Sequence, residues 1–425
     1  MGDVYFPGMI NPRNLRAFVM VARTGSVVRS ATAIHRVQSA ITRSIKELEG
    51  ELGVQLFERR PYGMLLTESG KVLLLRAENI FAEMDTARAG LETTCGPLRL
   101  NTNAPIFSLG IGRQRLLVFV ELMKQCHMGA VADIFGISQP AVSQALREVE
   151  QSIGIRLVAR TPSGILPNDS GNLLATHLRR ALAEMSKAEE EIVSLQQGIT
   201  GHVAVGTLSL GRIRLLPQAI IHITQAHPKI TVSTIEGSFE HLALLLRASE
   251  IDFMLGGLRP PEHMAGLTAQ AVTSSHISLI ARTGHPYSHL GHGEGWDLLS
   301  QASWILPQRG TWTRSSLEAS FAAKQLPAPG VVVETADITI TKGLLLSSDM
   351  ITAASPHLFQ HEIEMGELIV LNPSLPSQLR AIGIVQREGN KPTVAAQLLM
   401  DTIAEIQTTG PAQAPVRPQP SAQLP

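Results

Sequence analysis

At 425 residues the chain is too long for one typical core, and length alone suggests about three domains. Its 36 Lys or Arg balance 36 Asp or Glu, so net charge points to no partner. Cys95 and Cys126 lie in separate segments and form no metal, redox or disulfide motif. No run of about 18 apolar residues and no secretory leader is visible, which makes a soluble cytoplasmic protein the expectation.

The stretch from Leu15 to Leu91 recurs from Leu116 to Ile192 at a constant offset of 101 residues, without an insertion. Phe18 pairs with Phe119, Gln38 with Gln139, Glu49 with Glu150, Gly53 with Gly154, Leu56 with Leu157 and Gly70 with Gly171. A register this strict implies two copies of one fold. Each copy reads as three short helices followed by a wing.

In the second copy a helix from about Gly129 to Phe135 ends at Gly136, and Ser138 offers an N-cap with Pro140 in the first turn of the next helix. That is helix-turn-helix geometry. Along the later helix Ala141, Val142, Ala145, Leu146 and Val149 form an apolar stripe, while Ser138, Gln139, Pro140, Ser143, Gln144 and Arg147 are left for the outer face. The matching outer set in the first copy is Gln38, Ser39, Thr42, Arg43 and Lys46. These side chains can hydrogen-bond base edges and phosphates in a major groove, and neither set contains Asp or Glu. Arg59 and Arg60 in one wing and Arg160 in the other suit a phosphate or minor-groove contact, although a surface-turn Arg is often only solvated. Residues 1 to 80 carry 11 Lys or Arg against 7 Asp or Glu, and residues 113 to 180 carry 8 against 5, a weak bias in the same direction. A lone match of this kind is often an ordinary helical hairpin; two in identical register argue against that.

Both copies resemble the amino-terminal domain of LysR-type transcriptional regulators. The second keeps Ser138-Gln139-Pro140-Ala141-Val142-Ser143 intact. The first has Val37-Gln38-Ser39-Ala40-Ile41-Thr42 instead, but retains Leu56-Phe57-Glu58-Arg59-Arg60 and Thr67-Glu68-Ser69-Gly70, where the second has Leu157-Val158-Ala159-Arg160-Thr161 and Asn168-Asp169-Ser170-Gly171. Most members of the family carry one such domain, so the duplication is a departure.

After each wing a helix shows apolar positions spaced alternately by four and three: Leu73, Ala77, Ile80, Met84, Ala87 and Leu91, then Leu174, Leu178, Ala181, Met185, Ala188 and Ile192. Such a heptad seam favours a partner helix. The expectation is dimerisation through the second helix; the alternative is a helix packed within its own chain. Residues 93–112, rich in Thr, Asn, Gly and Pro, read as a flexible linker that lets the copies move relative to each other.

From Gly201 onward the pattern alternates strands and helices. Strands are expected at 202–207, 230–235, 251–255, 277–281, 304–306, 331–334, 350–353 and 378–386, and helices at 213–226, 239–248, 314–324, 337–347 and 394–406. This layout is similar to the effector-binding region of LysR-type regulators, two α/β lobes resembling periplasmic binding proteins. The expected fold class is therefore multidomain: two all-α winged helix-turn-helix domains (10–92 and 113–197), then a two-lobed α/β effector domain (200–408). Lobe I takes about 200–272 and 378–408, lobe II about 273–377, and 409–425 is a disordered tail. In such a fold ligands bind between the lobes, where strand ends and helix starts present N–H groups and hydroxyls. Thr207, Ser209, Ser238, Arg309, Thr311, Thr313 and Thr335 are the effector-binding candidates, each equally suited to a routine cap or turn.

No dinucleotide, phosphate-loop, zinc-helix or nucleophile-elbow motif is present, so an enzyme is not expected. His285, His289 and His292 sit in a Gly-rich loop without carboxylate or cysteine partners, and no metal or cofactor is expected. The resemblance implies a regulator that senses a small-molecule inducer, an organic acid by family likeness. Double-stranded DNA, RNA polymerase and a homodimer or homotetramer of the chain are the implied partners, with no membrane. The alternative is a small-molecule-binding or scaffolding protein whose helix-turn-helix copies mediate protein contacts.

Overall fold

The computed structural model describes residues 10–61, 63–95, 100–161, 164–213, 215–291, 295–372, 375 and 379–409. The tail expected at 409–425 lies outside them, except for Thr409.

The first copy comprises α1 (Pro12–Thr24), α2 (Val27–Ala33), α3 (Gln38–Leu52), a two-stranded wing of β1 (Phe57–Arg60) and β2 (Gly63–Leu66), and the long α4 (Glu68–Cys95). The second repeats the order with α5 (Arg113–Gln125), α6 (Met128–Phe135), α7 (Gln139–Ile153), β3 (Val158–Thr161), β4 (Gly164–Pro167) and α8 (Asp169–Gln197). The shared glutamate accepts the same backbone bond in both: Glu49 Oε1 from Leu56 N at 2.8 Å, and Glu150 Oε1 from Leu157 N at 2.9 Å. Thr67 Oγ1 and Asn168 Oδ1 likewise cap the long helices, each accepting from the N–H three residues on, so Asn does the work of Thr. A Cβ at Gly70 or Gly171 would lie 2.2 Å from the carbonyl oxygen of Leu56 or Leu157, which is why both positions are glycine.

Two details of α7 differ from expectation. Ser138 occupies the N-cap position but its hydroxyl makes no capping bond. Pro140 offers no N–H, and Ala141 N already bonds the Ser138 carbonyl at 2.9 Å. Ala141 is exposed rather than part of the apolar stripe, because the first turn of α7 projects beyond the core.

The seams of α4 and α8 meet inside one chain. Arg76 contacts Glu184 and Glu191, Glu83 contacts His177, and Cys95 contacts Ser170, so the helices run antiparallel. All twelve seam residues, from Leu73 to Leu91 and from Leu174 to Ile192, are at most 1% exposed. This corrects the assignment of α8 as the helix that joins two chains: its apolar stripe is already covered by α4. A homodimer or homotetramer therefore needs another surface.

The flexible linker expected at 93–112 is also corrected over its described parts, since 93–95 complete α4 and 100–112 are packed. Leu100, Ala104, Ile106, Phe107, Leu109 and Ile111 are buried in the common core of the two copies, with a short 3₁₀ turn at Pro105–Ser108. Asn101 N bonds Ile153 O at 2.9 Å, and Gly110 O accepts from Arg13 Nε at 3.0 Å, which ties the segment to both copies. Apolar residues between the Gly and Thr positions supply the burial that a free linker lacks.

The remainder forms two lobes. Lobe I contains β5 (Gly201–Thr207), α9 (Ser209–Arg212), α10 (Leu215–Ala226), β6 (Ile230–Glu236), α11 (Phe239–Arg247), β7 (Phe253–Gly257) and β8 (Leu267–Ser275). Lobe II contains β9 (Ser278–Arg282), α12 (Trp296–Gln301), β10 (Trp304–Leu306), α13 (Trp312–Ala323), β11 (Val331–Glu334), α14 (Ile338–Ser347), β12 (Ile351–Ala354), α15 (Gln360–Glu364) and β13 (Leu368–Val370). The chain returns to lobe I through β14 (Arg380–Arg387) and ends in α16 (Val394–Thr409). The sheet orders are β6-β5-β7-β14-β8 and β11-β10-β12-β9-β13. In lobe I, β5 runs parallel to β6 and β7 while β14 is antiparallel to its neighbours. Sequence patterning missed β8, β13 and the short helices α9, α12 and α15. The middle of β8 is exposed, so it lacks a strong apolar alternation.

Lobe I rests on the helix pair. Arg387 reaches Glu83 at 3.2 Å, Lys187 reaches Asn390 Oδ1 at 2.9 Å, and Arg76 donates to the carbonyls of Lys391 and Pro392. At the same junction burial, and then the charge of Asp252, push the Glu190 carboxyl up to about 7. A carboxyl with a raised folded value costs no stability below its ordinary value of 4.5 and a growing amount as pH climbs through 7. Glu190→Gln is thus expected to stabilise the chain by up to about 3 kcal/mol in mild alkali and by nothing in acid. Denaturation midpoints that shift equally at both pH values would refute this.

Candidate nucleic-acid interface and effector cleft

On α3, the apolar spacing of Ile41, Ile45 and Leu48 turns those residues into the core and leaves Gln38, Ser39, Arg43 and Lys46 exposed, with Thr42 half-buried. On α7, Val142, Ala145, Leu146 and Val149 turn inward, leaving Ser138, Gln139, Pro140, Gln144 and Arg147 exposed and Ser143 half-buried. Arg60 in the first wing is exposed and pairs with Glu58 at 2.7 Å. The side chains of Arg59 and Arg160 lie outside the described residues.

Acidic neighbours hold the candidate residues in place. Arg43 Nε donates to Glu47 Oε1 at 2.7 Å, and Asn14 Nδ2 donates to Glu47 Oε2 at 3.2 Å. Bonds from Arg43 and Asn14 keep the Glu47 carboxyl below its ordinary range. In the second copy Gln144 Nε2 donates to Glu148 and accepts from Arg147 through Oε1. Glu47 and Glu148 escaped the sequence reading, although each sits one helical turn after a candidate residue, the spacing at which side chains meet.

The effector candidates gather at the carboxyl ends of the parallel strands. Thr207, at the end of β5, is buried and donates to Ile235 O at 3.4 Å. Ser209 opens α9, and Ser238 caps α11 by accepting from His241 N. In lobe II, Arg309 is exposed between β10 and α13, and Thr311 occupies the N-cap position of α13 without a capping bond, its hydroxyl donating to Gln308 O at 2.9 Å. Thr313 lies half-buried in the first turn of α13, and Thr335 accepts from Asp337 N after β11. Ser238, Thr311 and Thr335 thus already serve the local backbone.

Two arginines that sequence reasoning missed lie where the lobes meet. The Arg380 guanidinium stands 5.2 Å from the ring centre of Trp312 in lobe II and donates to Gly257 O, at the end of β7 in lobe I, at 3.1 Å. Its buried Nε has no partner among the described residues. Burial, and then the charge of Arg259, bring its pKa down to about 10. Arg259 stacks over Phe239 at 5.3 Å. A β-carbon at Gly257 would collide with the Arg380 guanidinium, so glycine makes room for it. No motif marks these arginines; only the folding of β7 and β14 side by side joins them.

The histidine loop has a structural explanation. His285 is buried, its Nδ1 accepting from Tyr287 N at 3.0 Å and its Nε2 lying 3.1 Å from Asp349 O. His292 lies outside the described residues, among which no cluster of metal-ligating side chains occurs. None of the described helices is long and apolar enough to cross a membrane.

Comparison with known proteins identifies the architecture. Residues 196–407 match the LysR substrate binding domain, and residues 12–71 and 114–172 each match the bacterial regulatory helix-turn-helix protein, lysR family. The HTH-type transcriptional regulator GalR of Pseudomonas putida is 41% identical over 411 residues, covering 96% of this chain and 99% of that protein. The regulator GbpR of Azospirillum brasilense is 28% identical over 311 residues, 73% of this chain and 90% of its own. A full-length OxyR variant from Pseudomonas aeruginosa shares the fold with a TM-score of 0.50 at 19% identity, covering 68% of this chain and 96% of that one. CbnR, a LysR family transcriptional regulator, does so with a TM-score of 0.50 at 15% identity, covering 69% and 98%. The relatives are regulators rather than enzymes, and the chain belongs to the LysR family of ligand-sensing, DNA-binding transcriptional regulators.

Proposed function

We propose that both helix-turn-helix copies are DNA-reading heads and that a small organic acid, bound between the lobes, changes how they engage a promoter. Exposed Arg43 and Lys46 on α3, matched by Gln144 and Arg147 on α7, carry the first part. GalR supports it, since an alignment spanning 96% of this chain and 99% of that protein takes in both copies. The Arg380 guanidinium supports the second part: its charged neighbour is the cation Arg259, itself paired with Glu240 at 3.9 Å, so an anion between the lobes supplies the counter-charge and a partner for Arg380 Nε. Thr207, Ser209, Ser238, Arg309, Thr311, Thr313 and Thr335 form the surrounding polar rim in this reading.

The mechanism is a population shift between lobe arrangements. Strand β14 begins at Arg380 in the cleft and ends at Arg387, which is paired to Glu83 on the helix pair. A lobe movement that displaces β14 acts directly on the element joining the heads.

Arg43→Ala and Gln144→Ala are each expected to weaken specific DNA binding by about 1 to 3 kcal/mol without altering folding. Affinities measured on one promoter fragment at fixed salt test this, and unchanged values in both variants would remove these positions from readout. For the cleft, titration with mono- and dicarboxylic acids can be followed through Trp emission, because Trp312 lies against Arg380. Arg380→Ala is expected to weaken such binding at least about tenfold, the scale of one charge-assisted hydrogen bond. Equal affinity in the variant would place the acid elsewhere.

A further inference from the structure

The ion pairs between α4 and α8 are reciprocal. The offset of 101 residues that relates the copies carries Arg76 onto His177, Asn79 onto Arg180 and Glu83 onto Glu184. Arg76 Nη1 meets Glu184 at 3.1 Å and Asn79 Nδ2 meets it at 2.9 Å; from the other side, His177 Nδ1 meets Glu83 at 2.7 Å and Arg180 Nη1 meets it at 3.4 Å. Each contact is thus the image of another with the copies exchanged. That is the signature of an isologous interface, here formed between two halves of one chain about a local two-fold axis.

We infer that a single chain, without a second copy, is the complete two-headed DNA reader, and that its target is an imperfect inverted repeat with a fixed polarity. The inference rests on the reading of both copies as DNA-binding heads. Two heads related by a two-fold present their reading helices to half-sites in inverted orientation, about one helical turn or a multiple of it apart. In most such readers the half-sites are identical because the chains are. Here the reading positions differ: Ser39 stands where the second head has Pro140, Arg43 where it has Gln144, and Lys46 where it has Arg147. Arg pairs bidentately with guanine and Gln with adenine, so the two halves of the site differ in base preference. Gln38 and Gln139, with Thr42 and Ser143, keep part of the pattern common. The buried segment 100–112, bonded to both copies, holds the heads in this arrangement. The site therefore has a left and a right end, and one chain sits on it in one direction.

The test uses the full-length chain and a library of DNA duplexes with a randomised centre. Bound duplexes are recovered and sequenced, and the mass of the complex on a recovered duplex is measured in solution. The expected result is one chain on two unequal, inverted half-sites with centres about 10 to 10.5 base pairs apart or a multiple of that. Arg43→Ala should relax base preference in one half-site only and Gln144→Ala in the other only, each costing roughly tenfold to a hundredfold in affinity for the recovered duplex. Two chains per pair of half-sites, direct repeats, a lone half-site, or both variants relaxing the same half would overturn the inference while leaving DNA binding intact. Recovery of no preferred sequence would overturn the reading of the heads as well.

Discussion

A chain carrying Met185→Glu together with Ile192→Glu is expected to lose the cooperative fold of its two heads, and to lose it equally at low and high protein concentration. Both side chains are at most 1% exposed in the seam against α4. An ionised carboxylate in such a place has no partner and costs several kcal/mol unless it is protonated or the seam opens. Two of them exceed a typical share of a domain's total stability of about 5 to 15 kcal/mol. Because the partner helix belongs to the same chain, dilution has no part in the effect. Thermal unfolding followed by helical signal over a range of concentrations decides the matter. A midpoint that rises with concentration would show that α8 pairs between chains, and an unaltered midpoint would show that the seam tolerates charge.

Arg76→Ala is expected to cost about 3 to 5 kcal/mol, the scale of breaking a buried ion pair by removing one partner. The side chain is 1% exposed. Its Nε donates to Glu191 at 3.0 Å, its Nη1 to Glu184 at 3.1 Å and to the Lys391 carbonyl at 2.8 Å, and its Nη2 to the Pro392 carbonyl at 3.2 Å. Burial tends to raise the Glu184 carboxyl, but the charges of Lys187 and Arg76 outweigh it and hold the group below its ordinary range. Alanine leaves Glu184 and Glu191 without this cation and frees two carbonyls at the sensor junction. Arg76→Lys keeps the charge but not the fork that reaches two carboxylates at once, so it should fall between wild type and alanine. Denaturant unfolding measures the loss, and hydrogen exchange at residues 387–393 reports whether lobe I loosens from the helix pair. A loss under about 1 kcal/mol would reduce the cluster to an exposed-type ion pair.

Short-range periodicity determined much of this protein from its sequence alone. The offset of 101 residues, the apolar stripes of α3 and α7, the glycines at 70 and 171 and the alternation of strands and helices after Gly201 each depend on neighbours within a few residues or on exact repetition. Such signals survive without coordinates because a helix or strand turns every third, fourth or second side chain to one face. Heptad spacing likewise announced that α4 and α8 each needed a partner. It could not say which partner, since an apolar stripe is satisfied equally by another chain or by its own repeat, and only the folded arrangement placed α8 on α4. The segment 100–112 was misread for a similar reason. Its Gly, Thr and Asn residues are typical of a linker, and burial of Ile106, Phe107 and Leu109 depends on a groove that exists only once both copies are assembled. The cluster of Arg76, Glu83, His177 and Glu184, and the cleft arginines Arg259 and Arg380, join residues far apart in the chain. Their charges carry no local pattern, so tertiary structure alone decided that they meet.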